Sequence, residues 1–282
     1  MGRPKSLKAW PAPAKLNLFL HVVGRRLDGR HELQTLFQLI DYGDCLRFRL
    51  REDGVIRICG AVAGENDLAV RAARLLQAAG GTFSGVDIAL EKRIPVGSGL
   101  GGGSSDAATV LMALNRLWDI GFDTTTLSEI GLSLGADVPL FVCGHSAWAE
   151  GVGERLTPTM LEDRWYCVLV PSVCVATDRV FSSTELTRNT PRIKIPGRFW
   201  RGLRNDLEPV TCALYPEVQH CLEWLRRHGN ARMTGSGGAS FLSVGNRQGA
   251  LDILNQAPPG CTGFVARGLN RHPLADETNF GV

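Results

Sequence analysis

Residues 95–109 read Pro-Val-Gly-Ser-Gly-Leu-Gly-Gly-Gly-Ser-Ser-Asp-Ala-Ala-Thr, and five of them, Gly97, Gly99, Gly101, Gly102 and Gly103, are glycines. Glycine reaches positive φ without strain and carries no Cβ to hold a ligand away from the backbone. The preceding run, Val86 to Lys92, alternates apolar and polar residues like a strand. Behind the glycines, Ala107, Val110, Leu111 and Leu114 recur at helical spacing, with Leu117 and Trp118 one turn on. A strand, a glycine loop and a helix with Ser104 and Ser105 in its first turn follow one another. Free N–H groups and the positive end of the helix dipole favour an anion there, most naturally a phosphate.

Gly97-x-Gly99-x-x-Gly102 formally fits a dinucleotide fingerprint, but no apolar strand ending in an acid follows at the required distance. A Walker loop needs Gly-Lys-Ser/Thr, and the chain has no such tripeptide. A flexible linker would not run into an amphipathic helix. A phosphate cradle of another kind is the reading that remains.

The chain has 282 residues, room for one large domain or two smaller ones, and 44% of them are apolar, ample for a core. Net charge is +3, from 31 basic and 28 acidic residues, so charge implies neither a nucleic-acid nor a membrane partner. Eight cysteines show no Cys-x-x-Cys pair and no zinc spacing. Scattered singly, as at Cys167 and Cys174, they read as reduced core residues of a cytoplasmic protein. No apolar run has membrane-spanning length, and Leu16–Val23 is too short and too polar for a signal peptide. Met1-Gly2-Arg3-Pro4-Lys5-Ser6 matches the myristoylation pattern, which chance explains better.

Before the loop, a basic tail to Trp10 leads through Pro11-Ala-Pro13 into a strand, Lys15–Val23. Its alternation sets Leu16, Leu18, Leu20 and Val22 on a buried face and Lys15, Asn17 and His21 on a wet one. Asp28-Gly29 marks a turn just before His31. Leu46–Leu50 reads as a strand with Val55–Cys59 as its hairpin partner. Asn66-Asp67 caps a helix that Gly80-Gly81 ends. Beyond the loop, Asp123 begins a helix that stops at Gly135. Pro139 biases Val138 toward extended backbone and leaves Asp137 in a short loop, as a cap or as a positioned carboxylate. Ser146–Gly151 and Arg164–Pro171 read as strands, joined by Arg155–Asp163, a natural domain boundary. Thr184–Arg201 reads as a surface excursion. The second half then runs strand, helix, strand, helix, strand, with a second glycine-rich turn at Arg232–Ser240, an α+β pattern.

Three motifs in order carry a resemblance to the GHMP kinase superfamily, the kinases of galactose, homoserine, mevalonate and related small alcohols. They are Pro13-Ala-Lys15-Leu-Asn17-Leu continuing to Asp28-Gly-x-His31-x-Leu33-x-Thr35, then Pro95-x-Gly97-x-Gly99-Leu-Gly-Gly-Gly-Ser-Ser, then Thr234-Gly235-Ser236-Gly237. Gly135-Ala-Asp137-Val-Pro139 and Gly151-x-Gly153-Glu154 resemble the members whose acceptor is a cytidine diphosphate-linked methylerythritol. The resemblance implies an α+β, two-domain fold. An N-terminal α/β sandwich domain, residues 1–160, would bind ATP, and a ferredoxin-like C-terminal domain, residues 161–282, would close a cleft between them.

It also implies ATP and Mg²⁺ as cofactors, a small-molecule acceptor, no nucleic acid or membrane, and a monomer or homodimer. Carried over by motif, Asp137 is the catalytic base and Lys15 its partner. Pro95, Val96, Gly97, Ser98, Gly99, Leu100, Gly101, Gly102, Gly103, Ser104 and Ser105 wrap the ATP phosphates. His31 bonds the cytosine edge, Phe181 stacks on it, Asn17 holds the erythritol end, and Thr177 lines the pocket. For the metal, the resemblance offers Ser104 or Ser105. Phosphoryl transfer asks for positioning and charge neutralisation, and a bare alcohol needs a carboxylate to take its proton. The chain departs from the family at Arg30, where a tyrosine is usual, and at Asn66-Asp67-Leu68, where Asp-Asn-Leu is usual. Another small-alcohol kinase would lack the His31 and Asp137 segments in this form. A nucleotide-binding module without catalysis would need neither Lys15 nor Asp137.

Overall fold

The computed structural model describes residues 8–59, 67–194 and 203–275. The Gly2 segment, Asn66 and the later part of the Thr184–Arg201 excursion lie outside the described residues.

Two long strands open the chain, β1 (Trp10–Arg25) and β2 (His31–Arg51), paired antiparallel along most of their length. β2 is shared: β5 (Ala147–Gly151) pairs with its first part and β4 (Gly85–Glu91) with its last. β6 (Arg155–Pro158) folds back on β5, so the connection expected as a boundary begins as a strand. Helices α1 (Leu68–Ala79), α2 (Gly102–Leu117), α3 (Thr124–Leu134) and α4 (Val138–Cys143) cover this sheet. Leu76, Leu111, Leu114, Leu140 and Phe141 are buried between the helices and the strands.

The second half runs β7 (Trp165–Pro171), α5 (Thr177–Ser182), α6 (Glu208–Leu214), α7 (Pro216–Arg226), β8 (Arg232–Thr234), β9 (Ala239–Val244), α8 (Arg247–Leu254) and β10 (Cys261–Leu269). Its strands lie in the order β10-β7-β9-β8, all antiparallel. Numbered within this half, that is 4-1-3-2, the ferredoxin-like arrangement. The last residues of β10 also pair with Leu39 and Ile40 of β2, which joins the two halves edge to edge.

Four expectations change. β3 (Ile56–Cys59) is not the hairpin partner of Leu46–Leu50; it lies parallel on the far side of β4. β4 takes the β2 edge instead, where Arg49 and Arg51 both reach Asp87. Pro139 begins a helix rather than ending one, because an early helical position needs no N–H from proline. The wet face expected for β1 is buried, Lys15, Asn17 and His21 included. Finally, the cysteines are not all reduced core residues: Cys221 of α7 is bonded to Cys261 of β10, and Cys59 and Cys174 are exposed. Cys167 is buried, and burial pushes its thiol up to about 12. No helix among the described residues is long and apolar enough to cross a membrane.

Candidate active site

The glycine loop leaves β4 and enters α2 through Gly97, Gly99 and Gly101, all at φ between 71° and 77°. The helix N-cap is Gly101, and no cap side chain bonds the first N–H groups. Those donors are left for a ligand. Ser105 is buried and donates its hydroxyl to the Pro13 carbonyl, which tethers the loop to β1. Ser104 instead is half-buried and lines the cavities beside the loop. A cavity of about 380 Å³ runs along the loop, with Asp67, Leu68 and Leu90 on its far wall.

The root of the loop is held by charge. Lys92 bonds both Asp44 and Asp106, the latter at 2.7 Å. Asp44 also accepts the backbone N–H groups of Arg93 and Ile94. Burial, then the Asp44 carboxylate, push Asp106 up to about 7 against the pull of Lys92. Lys92 is raised, its own burial outweighed by the two carboxylates.

A second cavity, of about 360 Å³, shares the loop's inner wall: Gly99, Gly101 and Ser104 line both. Into it project Lys15, Asn17 and Asp137. The Lys15 ammonium stands 3.2 Å from the Asp137 carboxylate, the lysine 4% exposed and the aspartate 30%. Lys15 also donates to Asn17 Oδ1 at 2.6 Å, and Asn17 Nδ2 donates to Thr35 Oγ1 at 2.9 Å. The ammonium lies over the Phe37 ring, 5.2 Å from its centroid. Asp137 occupies the N-cap position of α4 but makes no cap bond with its side chain. Its carboxylate faces Lys15 rather than capping the helix.

The third glycine motif locks the two cavities together. Thr234 Oγ1 accepts the Asn17 backbone N–H at 2.7 Å. Thr177 and Ser236 share a hydroxyl–hydroxyl bond of 2.7 Å in the cavity wall. Asn205 Nδ2 donates to the carbonyls of Met233 and Gly235 and holds the turn. Thr35, Ser236 and Asn205 were not singled out as site residues. Thr35 and Ser236 lay inside quoted motifs, and Asn205 carried no local signal.

The GHMP kinases N terminal domain family matches residues 67–145, and the GHMP kinases C terminal family matches residues 195–258. A protein of Nitrosospira multiformis named 4-diphosphocytidyl-2-C-methyl-D-erythritol kinase is 57% identical over 94% of this chain and 92% of its own length. One of the same name from Halorhodospira halophila is 54% identical over 94% of each chain. The chain belongs to the 4-diphosphocytidyl-2-C-methyl-D-erythritol kinase family. A crystal structure of 4-(cytidine 5'-diphospho)-2C-methyl-D-erythritol kinase superposes with a TM-score of 0.82 at 36% identity, covering 93% of this chain and 99% of that one. A homoserine kinase of Cytophaga hutchinsonii, at TM-score 0.64 and 16% identity, shares the fold alone.

In this kinase a third hollow, lined by Arg30, His31, Leu134, Gly135, Asp178 and Phe181, adjoins the second cavity through Phe181. The His31 and Phe181 rings are in contact, 5.1 Å between centroids and tilted by 34°. Arg188 Nε donates to His31 Nε2 at 3.0 Å. Burial, then Arg188 and Arg25, hold His31 below its usual pKa. Arg30 is exposed at the rim, its backbone N–H turned back to Asp28. Asp67 spends its side chain on the N–H of Ala69 as the α1 cap while lining the first cavity. Among the described residues no three histidine, cysteine or acidic side chains cluster as a metal cage.

Proposed function

We propose that this chain transfers the γ-phosphoryl group of ATP to the C2 hydroxyl of 4-diphosphocytidyl-2-C-methyl-D-erythritol, giving the 2-phosphate and ADP in the non-mevalonate route to isoprenoid precursors. One observation carries the reading: the Lys15–Asp137 pair, 3.2 Å apart, stands in a cavity that shares its wall with the glycine loop. A phosphate bound along Pro95–Ser105 and an alcohol beside Asp137 would then meet at Gly101 and Ser104.

The uncapped amides of α2 and the loop stabilise the phosphate oxygens. Asp137 accepts the hydroxyl proton as the new P–O bond forms. Lys15 is held in place by Asn17 and Phe37 and balances charge on the transferring group. His31 and Phe181 receive the cytosine, Asn17 the erythritol end, and Thr177, fixed by Ser236, completes the wall. Arg30 takes the usual tyrosine's place, since a planar guanidinium can also stack on a ring. Mg²⁺ fits a site without a carboxylate cage, because it keeps much of its water and binds through phosphates and one or two protein groups. Ser104 would hold it, and its chemistry is to neutralise β- and γ-phosphate charge. Ser105 is the poorer candidate, being fully buried and lining neither cavity. The division at residues 160 and 161, a cytoplasmic setting and a monomeric or homodimeric state belong to the same proposal.

A coupled ADP-release assay tests it, with the cytidylyl alcohol, mevalonate and homoserine offered in turn. Turnover is expected with the first alone. Equal turnover on all three, or on none, contradicts the proposal.

A further inference from the structure

Arg188 lines neither cavity along the glycine loop and belongs to none of the motifs quoted above. It is half-buried, in the segment that follows α5. Its guanidinium makes four bonds to three neighbouring features. Nη2 donates to the carbonyls of Phe181 and Ser183, at 3.0 and 2.6 Å. Nη1 donates to the carbonyl of Leu186 at 3.1 Å. Nε donates to His31 Nε2 at 3.0 Å, across 157 residues of sequence.

The first two bonds fall on carbonyls at the C-terminal end of α5, which have no partner within a helix that ends there. The cation also suits the negative end of that short dipole. So Arg188 fastens the backbone of Phe181 itself. The fourth bond has a chemical consequence. A guanidinium only donates, so His31 Nε2 must be the nitrogen that carries the lone pair. A ring that accepts at Nε2 is neutral and bears its proton on Nδ1. The doubly protonated ring has no lone pair to offer and would face a fixed positive charge.

We infer that Arg188 is the positioning residue of the base subsite: it fixes His31 as the neutral Nδ1–H tautomer and holds Phe181 against it. The inference rests on the proposal that His31 and Phe181 receive the cytosine. With Nε2 occupied, the one polar function His31 has left is an N–H donor, complementary to the ring acceptors of a pyrimidine rather than to its amino group. Lysine cannot replace this residue, because one ammonium cannot serve three carbonyls and a ring nitrogen in the geometry of a planar fork.

Two measurements test it. Nitrogen-15 chemical shifts of the histidine rings in the free protein at pH 7, with His31 assigned through His31→Gln, report the tautomer without any substrate. The Nδ1–H form is expected; the Nε2–H form or the imidazolium overturns the inference even if the chain phosphorylates the cytidylyl alcohol. Steady-state kinetics of Arg188→Lys and Arg188→Ala form the second arm. A rise of roughly tenfold or more in KM for the cytidylyl alcohol is expected, the ordinary scale for losing a hydrogen bond to a charged group. The kcat and the KM for ATP should stay within about twofold, since the loop and the Lys15–Asp137 pair are untouched. Equal losses in all three constants, or an unchanged acceptor KM, overturn it. Should neither variant fold, the tautomer of the unaltered protein decides alone.

Discussion

A methyl group on Gly99 would stand 2.7 Å from the Thr234 carbonyl oxygen and 2.8 Å from that of Gly237. In return, a methyl on Gly235 would stand 2.8 Å from the Gly99 oxygen. The second and third motifs therefore meet backbone to backbone, and each glycine is needed by the other turn as well as by its own φ. Gly99→Ala combines strain at φ 75° with a clash that no side-chain rotation relieves. It should destabilise the protein by about 1–3 kcal/mol and raise the KM for ATP. Gly245→Ala meets nothing within 4 Å and serves as the control, expected within about 0.5 kcal/mol of the parent. Chemical denaturation of both variants checks the pair. The glycines were legible in the sequence because their spacing is local. Arg188 was not, since its partner His31 is 157 positions away and an arginine on a loop reads as solvated.

The opening strand shows why alternation can mislead. Lys15, Asn17 and His21 alternate with leucines and read as a wet face, yet all three are buried, on a strand that packs against α2 and β8. What makes burial tolerable is pairing: Lys15 with Asp137 and Asn17, Asn17 with Thr35 and with Thr234. Periodicity reports polarity, and part of the covering layer comes from residues more than 200 positions on. Likewise α4 was hidden because Pro139 reads as a breaker unless it is known to sit in the first turn. The segment after β10 packs on the end of α4, where the His272 N–H donates to the Gly144 carbonyl. The His272 ring accepts from the Leu274 N–H at Nδ1, and Nε2 is buried without a partner among the described residues. Burial pulls its pKa down to about 4. The folded state thus binds fewer protons than the unfolded one between the ordinary value of 6.5 and about 4. Stability present above pH 6.5 is lost as pH falls through that window, about 3 kcal/mol in all. His272→Asn keeps an acceptor for Leu274 and should flatten the acid limb of a stability–pH curve between pH 6.5 and 4; an unchanged slope contradicts the assignment.

At the scale of the molecule, the α+β class was legible from the order of strands and helices, whereas the ferredoxin-like second half came only with the family resemblance, because β8 (Arg232–Thr234) lies in a stretch that reads as a glycine-rich turn. The sheet's continuity was not legible. β10 bonds β2 through Gly268 and Leu269 alone, so the two halves share an edge that no local pattern announces. The Cys221–Cys261 bond, between α7 and β10, was missed for the same reason: the cysteines are 40 residues apart and show no spacing motif. What the whole fold achieves is to bring Lys15 of β1, the glycine loop before α2, Asp137 before α4 and the third motif after β8 onto one cleft. In the proposed reaction the Asp137 carboxylate takes the acceptor's proton in that cleft. The decisive measurement is turnover of the cytidylyl alcohol by Asp137→Asn, with ATP binding measured on the same preparation. A fall of about 10²–10⁴-fold in kcat with ATP affinity kept is the result predicted; near-parental turnover with ATP still bound would contradict it.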